Sequence, residues 1–225
     1  MSETTREPQY QVQFDALREK GPVLMGPTAG ALWRDDPRHL AFLTSRYKFV
    51  SKLLAGKTSA LEAGCGDGFG MKLVLQEVKR VHGVDFDPMY ARWCEEQAKR
   101  EGLNATFSTH DLTREAPKGP FDAAYSLDVI EHIPKRLEKK FLGNIVKVLK
   151  RHGILVVGCP NVTAAAYASP QSKAGHINLK SHKELRELLG GFFHNVLLFS
   201  MNDEVVHTGY YPMAHYLFAV GIGRK

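Results

Sequence analysis

Cysteine is scarce in this chain: three among 225 residues, at positions 65, 94 and 159. An odd, widely spaced set argues against a disulfide framework and a zinc ribbon. It suits a reducing compartment, with the cytoplasm the expected location. No apolar run approaches the ~20 residues that a bilayer crossing needs. The opening MSETTREPQY holds no apolar stretch of the kind found in a secretory leader. A block of one charge is also missing. Lys and Arg number 30 against 24 Asp and Glu, a net of +6, but the densest basic stretch (Lys135-Arg136-Leu137-Glu138-Lys139-Lys140) contains an acid and reads as the solvated face of a helix. Nucleic acid is therefore the weaker partner reading. With 44% hydrophobic and 24% charged residues the composition is globular, which excludes a disordered or collagenous chain.

What is present is an alternation. Residues 1–34 are polar, rich in Gly and Pro and without a sustained apolar period, and are expected to be a flexible arm or lid. A domain over 35–225 follows. Its first helix has a carboxylate cap at Asp35-Asp36 and a first-turn Pro37, with Leu40, Leu43, Tyr47, Val50 and Leu54 on one face. After Gly56, strands at 58–63, 81–85, 105–108, 121–126 and 154–159 alternate with helices at 69–79, 88–102 and 137–149. A helix at 182–189 and two closing strands, 195–201 and 216–221, complete the pattern. Strands alternating with helices indicate an α/β fold, a parallel sheet with helices on both faces. Two closing strands without a helix between them imply an antiparallel pair at one end.

The sharpest feature is Glu62-Ala63-Gly64-Cys65-Gly66-Asp67-Gly68, a strand entering a helix through spaced glycines. A phosphate loop fails, because Gly56-Lys57-Thr58 precedes the strand and lacks the earlier glycine. A dinucleotide fingerprint is weak, because its third glycine falls on Phe69 or Met71. The remaining pattern is acid-x-Gly-x-Gly-x-Gly. Bare backbone lets a ligand approach closely, and Glu62 suits a ligand carrying an ammonium group. S-adenosylmethionine has that ammonium, together with a sulfonium, a ribose and an adenine. Asp85, at the end of the next strand, is placed to accept the ribose hydroxyls, and Asp111, after the third strand, to meet the adenine amino group.

These residues resemble the class I S-adenosylmethionine-dependent methyltransferases, over about residues 37–225. The resemblance implies a Rossmann-like seven-stranded, mostly parallel sheet with an antiparallel last strand. It implies a cofactor lying against Glu62, Gly64, Cys65, Gly66, Gly68, Asp85, Phe86, Asp111, Leu112 and Leu127.

A second constellation follows the fourth strand: Leu127-Asp128-Val129-Ile130-Glu131-His132-Ile133-Pro134. In one helical turn Asp128, Glu131 and His132 share a face, and His176 can swing over the same pocket. The set can hold a divalent metal (Mg, Mn or Zn) or supply a general base through His132, His176 or Asp128. It can also be a packing element. The pattern resembles the ubiquinone-biosynthesis O-methyltransferases and the small-RNA 2′-O-methyltransferases, whose later His completes a metal set. It departs from them in having Asp rather than Glu at 128. From the ubiquinone group Arg46, Gly64, Asp85 and Leu127 match cofactor contacts. The expected function is methyl transfer to a small-molecule hydroxyl on a sugar, quinol or secondary metabolite. An RNA 2′-O-methyltransferase and a non-catalytic cofactor-binding module are the alternatives. His82, His152 and His194 read as structural. Trp33 and Tyr210-Tyr211-Pro212-Met213 flank the expected mouth.

Overall fold

The computed structural model describes residues 4–225. Five parallel strands come first: β1 (Ser59–Ala63), β2 (Arg80–Asp85), β3 (Ala105–Thr109), β4 (Phe121–Leu127) and β5 (Leu149–Pro160). β6 (Phe193–Asn202), the short β7 (Val205–His207) and β8 (Tyr216–Arg224) complete one sheet in the order β3-β2-β1-β4-β5-β8-β6-β7. β8 is inserted antiparallel between β5 and β6. The expected Rossmann-like α/β architecture is present. The sheet has eight strands rather than seven because β7 folds back on the end of β6 as an edge hairpin.

All five residues of β1 are buried, as befits a central parallel strand covered on both faces. One face carries α3 (Pro37–Leu53), α4 (Met71–Val74) and α5 (Pro88–Glu101), whose Tyr47, Val50, Met71, Val74, Cys94 and Ala98 pack on the sheet. The other carries α6 (Lys135–Lys147) and α8 (His182–Gly190), which contribute Phe141, Leu142, Ile145, Leu185 and Leu189. The order in which strands are added reverses beside β1, with β2 on one side and β4 on the other. The carboxyl ends of those strands therefore splay into a crevice, the usual ligand position in an open α/β sheet. No described helix is long and apolar enough to cross a membrane.

Two expectations need correction and a third gains detail. The segment expected to be a flexible arm or lid contains two helices, α1 (Gln11–Lys20) and α2 (Pro27–Asp35). Pro27 opens α2, and the Asp67 carboxylate accepts from the Ala29 N–H at 2.7 Å, a partner no local pattern reveals. Residues 1–3 of that segment lie outside the described residues. The helix at 69–79 shrinks to four residues. Gly70 is its N-cap and lies flush against Tyr47, where an added Cβ would come within 2.2 Å of the ring, and beyond Leu75 the chain continues in turns. Asp36 occupies the cap position of α3 but makes no side-chain cap bond.

Candidate functional site

β1 runs directly into the glycine loop. Gly64, Gly66 and Gly68 all have positive φ, +79°, +49° and +69°, conformations that a side chain strains. A Cβ at Gly64 would meet Val129 at 2.4 Å, so the loop packs flush against the turn after β4. Above Gly66 nothing lies within 4 Å of the Cβ position, and its bare backbone faces open space. The Gly66 N–H donates to Asp85 Oδ2 and the Asp87 N–H to Asp85 Oδ1, each at 3.0 Å. Two backbone amides thus fix the Asp85 carboxylate at the crevice, with lone pairs to spare. Asp87 itself caps α5 by accepting from Met89 N–H at 2.8 Å, which frees Asp85 from that task.

The remaining expected cofactor residues divide by position. Phe86 stands 76% exposed at the end of β2. Asp111 lies past the end of β3 and accepts from the Thr113 hydroxyl at 2.7 Å and its N–H at 2.9 Å, which holds its carboxyl below the ordinary value. Leu112 and Leu127 are buried core residues. Cys65 is buried, and a hydrogen bond with Cys94 together with burial pushes its thiol far up, which makes it an inert filler.

Glu62 is where the expectation fails. Its carboxyl is only 2% exposed and accepts from Tyr47 Oη at 2.8 Å and Tyr125 Oη at 2.9 Å. Burial pushes it up to about 8, against the pull of the two phenols. It is a buried acid held between two tyrosines.

The turn after β4 also differs from the expected helical face. Asp128 takes a left-handed conformation, φ +57°, and only Ile130–His132 form a 3-10 turn. Asp128 Oδ1 accepts from Arg46 Nη1 at 2.8 Å. The Arg46 guanidinium lies 3.9 Å above the Tyr216 ring. Burial works against the Arg46 charge, but the Asp128 carboxylate outweighs it and holds the group above its ordinary value. Asp128 is therefore an ion-pair partner and does not join the metal-ligating group.

Glu131, His132 and His176 do come together. One potential ligand atom from each lies within 4.8 Å of the others. Glu131 is 0% exposed and neither carboxylate oxygen has a hydrogen-bond partner. Burial, reinforced by Asp128, raises its pKa well above the ordinary range. His132 Nδ1 is fixed against Gly175 O at 2.9 Å, and its ring meets His176 edge-on at 5.1 Å. Burial and His132 lower the His176 pKa, which keeps it neutral at pH 7. Two imidazoles beside an unpartnered buried carboxyl fit a divalent cation.

Beside this group opens a cavity of about 660 Å³ lined by Phe42, Arg46, Tyr167, His176, Met213 and His215 among others. Pro212 and Met213 of the aromatic run belong to its wall, whereas Trp33 is exposed elsewhere. His39, on α3, also lines it, and burial and Arg46 lower its pKa. Sequence reading missed His39 and His215, which carry no motif, and Tyr47 and Tyr125, whose apolar periodicity hid their hydroxyl role. It also placed Glu138 on a solvated face, but Glu138 is buried and paired with Lys180 at 2.7 Å.

Residues 60–153 match the family model described as a methyltransferase domain, which covers the glycine loop, Asp85 and the Glu131 turn. A probable S-adenosylmethionine-dependent methyltransferase of Mycolicibacterium smegmatis is 27% identical over 150 residues, 64% of this chain and 54% of that protein. Over residues 60–153 the chain is similar to the S-adenosylmethionine-dependent methyltransferases. It spans about half the length of the curated relatives it matches. The fold recurs in a Clostridium acetobutylicum methyltransferase, with TM-score 0.70 and 10% identity over 87% of this chain and 98% of that one. It recurs also in the N-methyltransferase NodS of Bradyrhizobium japonicum bound to S-adenosyl-L-homocysteine, with TM-score 0.62 and 17% identity over 93% and 97%.

Proposed function

We propose that this chain binds S-adenosylmethionine across the glycine loop and transfers its methyl group to a hydroxyl of a small-molecule acceptor. The observation that carries the reading is the open backbone at Gly66 beside an Asp85 carboxylate already held by two amides. A ligand can lie against that backbone while Asp85 accepts its ribose hydroxyls. Phe86, Leu112 and Asp111 line the adenine end, and Gly64, Cys65, Gly68 and Leu127 form the floor. With Glu62 occupied by its tyrosines, the methionine end falls to the loop backbone and to the Arg46–Asp128 pair. The donor, when bound, supplies a methyl activated by its sulfonium, so the protein's work is to position the acceptor and exclude water.

The 660 Å³ cavity is of the size that receives a drug-sized molecule. Its lining of aromatic, aliphatic and imidazole groups, with Arg46 already paired to a carboxylate, favours a neutral apolar-bodied acceptor with a hydroxyl over a polyanionic strand. Glu131, His132 and His176 are the residues that would hold a divalent cation, which supplies a Lewis acid that eases loss of the hydroxyl proton. His39 and His176, both kept neutral, are the bases within reach of that wall. Residues 4–34 act as a cover, with α2 docked on the glycine loop through Asp67.

Calorimetric titration of the purified chain with S-adenosyl-L-homocysteine tests the cofactor reading. Transfer of a labelled methyl group from S-adenosylmethionine to a panel of phenols, quinols, sugars and small RNAs tests the acceptor. No heat and no gain in melting temperature with the donor product overturns the first. Labelling confined to RNA overturns the second.

A further inference from the structure

The loop that delivers His176 to the site is held by a network that the chemistry above does not use. Lys180 is a buried lysine whose side chain is 3% exposed. Its ammonium lies 2.7 Å from Glu138 Oε2, in the first turn of α6, and also donates to Asn178 Oδ1. Asn178 Nδ2 donates to the same Glu138 oxygen and to Ile133 O, both at 2.9 Å. The Asn178 backbone N–H donates to Glu131 O, again at 2.9 Å. Lys180 O accepts from Val162 N–H at 3.0 Å, where residues 161 and 180 form a parallel bridge beyond β5. Asn161 in turn donates from Nδ2 to Tyr211 O at 2.6 Å and Ala214 O at 2.9 Å.

The network thus ties segment 175–181 to the Glu131 turn, to α6 and to the end of β5. A buried ion pair is a poor device for stability alone, since desolvating two charges offsets much of their attraction and a well-packed apolar pair does as well. Its value is directional. Asn178 reaches Glu131 and Ile133 through fixed hydrogen bonds, and Lys180 and Glu138 hold Asn178 in the orientation that makes them. The same segment supplies Gly175 O, which orients His132, and His176 itself.

We infer that Lys180, Glu138 and Asn178 are positioning residues that set the geometry of the Glu131, His132 and His176 group. The inference rests on the cation-holding reading of that group for its first test and is independent of it for the second. The variants are Lys180→Met, Glu138→Gln and the double Lys180→Met with Glu138→Leu, all in the full chain. The probes are Zn²⁺ and S-adenosyl-L-homocysteine, titrated separately by calorimetry. Loss of an outer support is expected to weaken Zn²⁺ binding by about 10–100-fold in Lys180→Met and in the double variant. Affinity for S-adenosyl-L-homocysteine stays within about twofold, because the glycine loop lies on other strands. Glu138→Gln, which keeps an acceptor for Asn178, retains most of the Zn²⁺ affinity.

If Lys180→Met leaves Glu138 unpaired and does not fold, the double variant carries the comparison. Unchanged Zn²⁺ affinity in the double variant overturns the inference. So does a fall in both affinities that tracks a lower melting temperature. If the unaltered protein binds no Zn²⁺, the cation reading fails by itself and amide exchange decides. Faster exchange at Asn178, His176 and His132, with β1 and β4 unaltered, supports positioning. Uniform acceleration, or none, overturns it.

Discussion

Arg46 and Asp128, 82 residues apart in sequence, meet at 2.8 Å and join α3, whose Arg46 lines the 660 Å³ cavity, to the end of β4. Their side chains are 11% and 28% exposed, so the pair is neither a solvated surface bridge nor fully dry. Arg46 also covers the face of Tyr216, where cation–π attraction adds to the pairing.

Arg46→Met should therefore destabilise the protein by about 1–3 kcal/mol, less than a wholly buried pair because water still reaches Asp128. Adding Asp128→Asn should restore part of that loss, since the uncompensated carboxylate is removed. Urea unfolding of the two single variants and the double measures the coupling. Additive losses would show that the two side chains do not interact in solution.

Asp85→Ala removes the acceptor of the Gly66 and Asp87 amides as well as the expected ribose partner. Each charge-assisted hydrogen bond is worth about 1.5–3 kcal/mol, so the affinity for S-adenosyl-L-homocysteine should fall at least ~10-fold for each ribose hydroxyl lost. Asp85→Asn keeps one acceptor oxygen and should fall between. Calorimetry reads this directly, and equal affinities in all three proteins would place the ribose elsewhere.

Glu62 makes a prediction about pH. Its folded-state pKa of about 8 lies above the ordinary carboxyl value of 4.5, so the folded state binds the proton more tightly than the unfolded one. The stability contributed by that proton is complete below about 4.5 and is lost as the pH rises through about 8. Melting temperature should accordingly decline between about pH 5 and 8, and Glu62→Gln, which has no proton to lose, should flatten the decline. Parallel curves for the two proteins would mean that Glu62 ionises normally. Glu62→Leu is a different perturbation, because it strands the Tyr47 and Tyr125 hydroxyls at a cost of about 1–3 kcal/mol each.

How far the sequence foretold this arrangement varies with the range of the interaction. β1, β2 and β4, the glycine loop and the helix at 88–102 were legible because apolar period and glycine spacing are local signals. α2 was not, because the Asp67 carboxylate that holds its first turn lies 38 residues downstream. The role of Glu62 was misread for a related reason. The acid position was correct, but the two phenols that claim it sit on α3 and β4, where tyrosine counts as an apolar residue in any periodicity. Asp128 falls outside the Glu131, His132 and His176 cluster, since a left-handed residue before a 3-10 turn breaks the i, i+3, i+4 relation that grouped it with Glu131. Glu138 lay in a basic stretch that looked solvated, and only the distant Lys180 explains why it turns inward.

Glu131 is wholly buried with two unpartnered oxygens, and such a group costs about 1–3 kcal/mol in desolvation. Glu131→Met fills a similar volume without a polar end. It should raise stability by about that amount in urea unfolding while Zn²⁺ binding is lost and S-adenosyl-L-homocysteine binding persists. His176→Ala should also lose Zn²⁺ without the gain in stability, because its half-exposed ring is already solvated. A Glu131→Met protein less stable than the original would mean that the carboxyl finds partners in solution, and that the case for a ligand-seeking acid at this position is void.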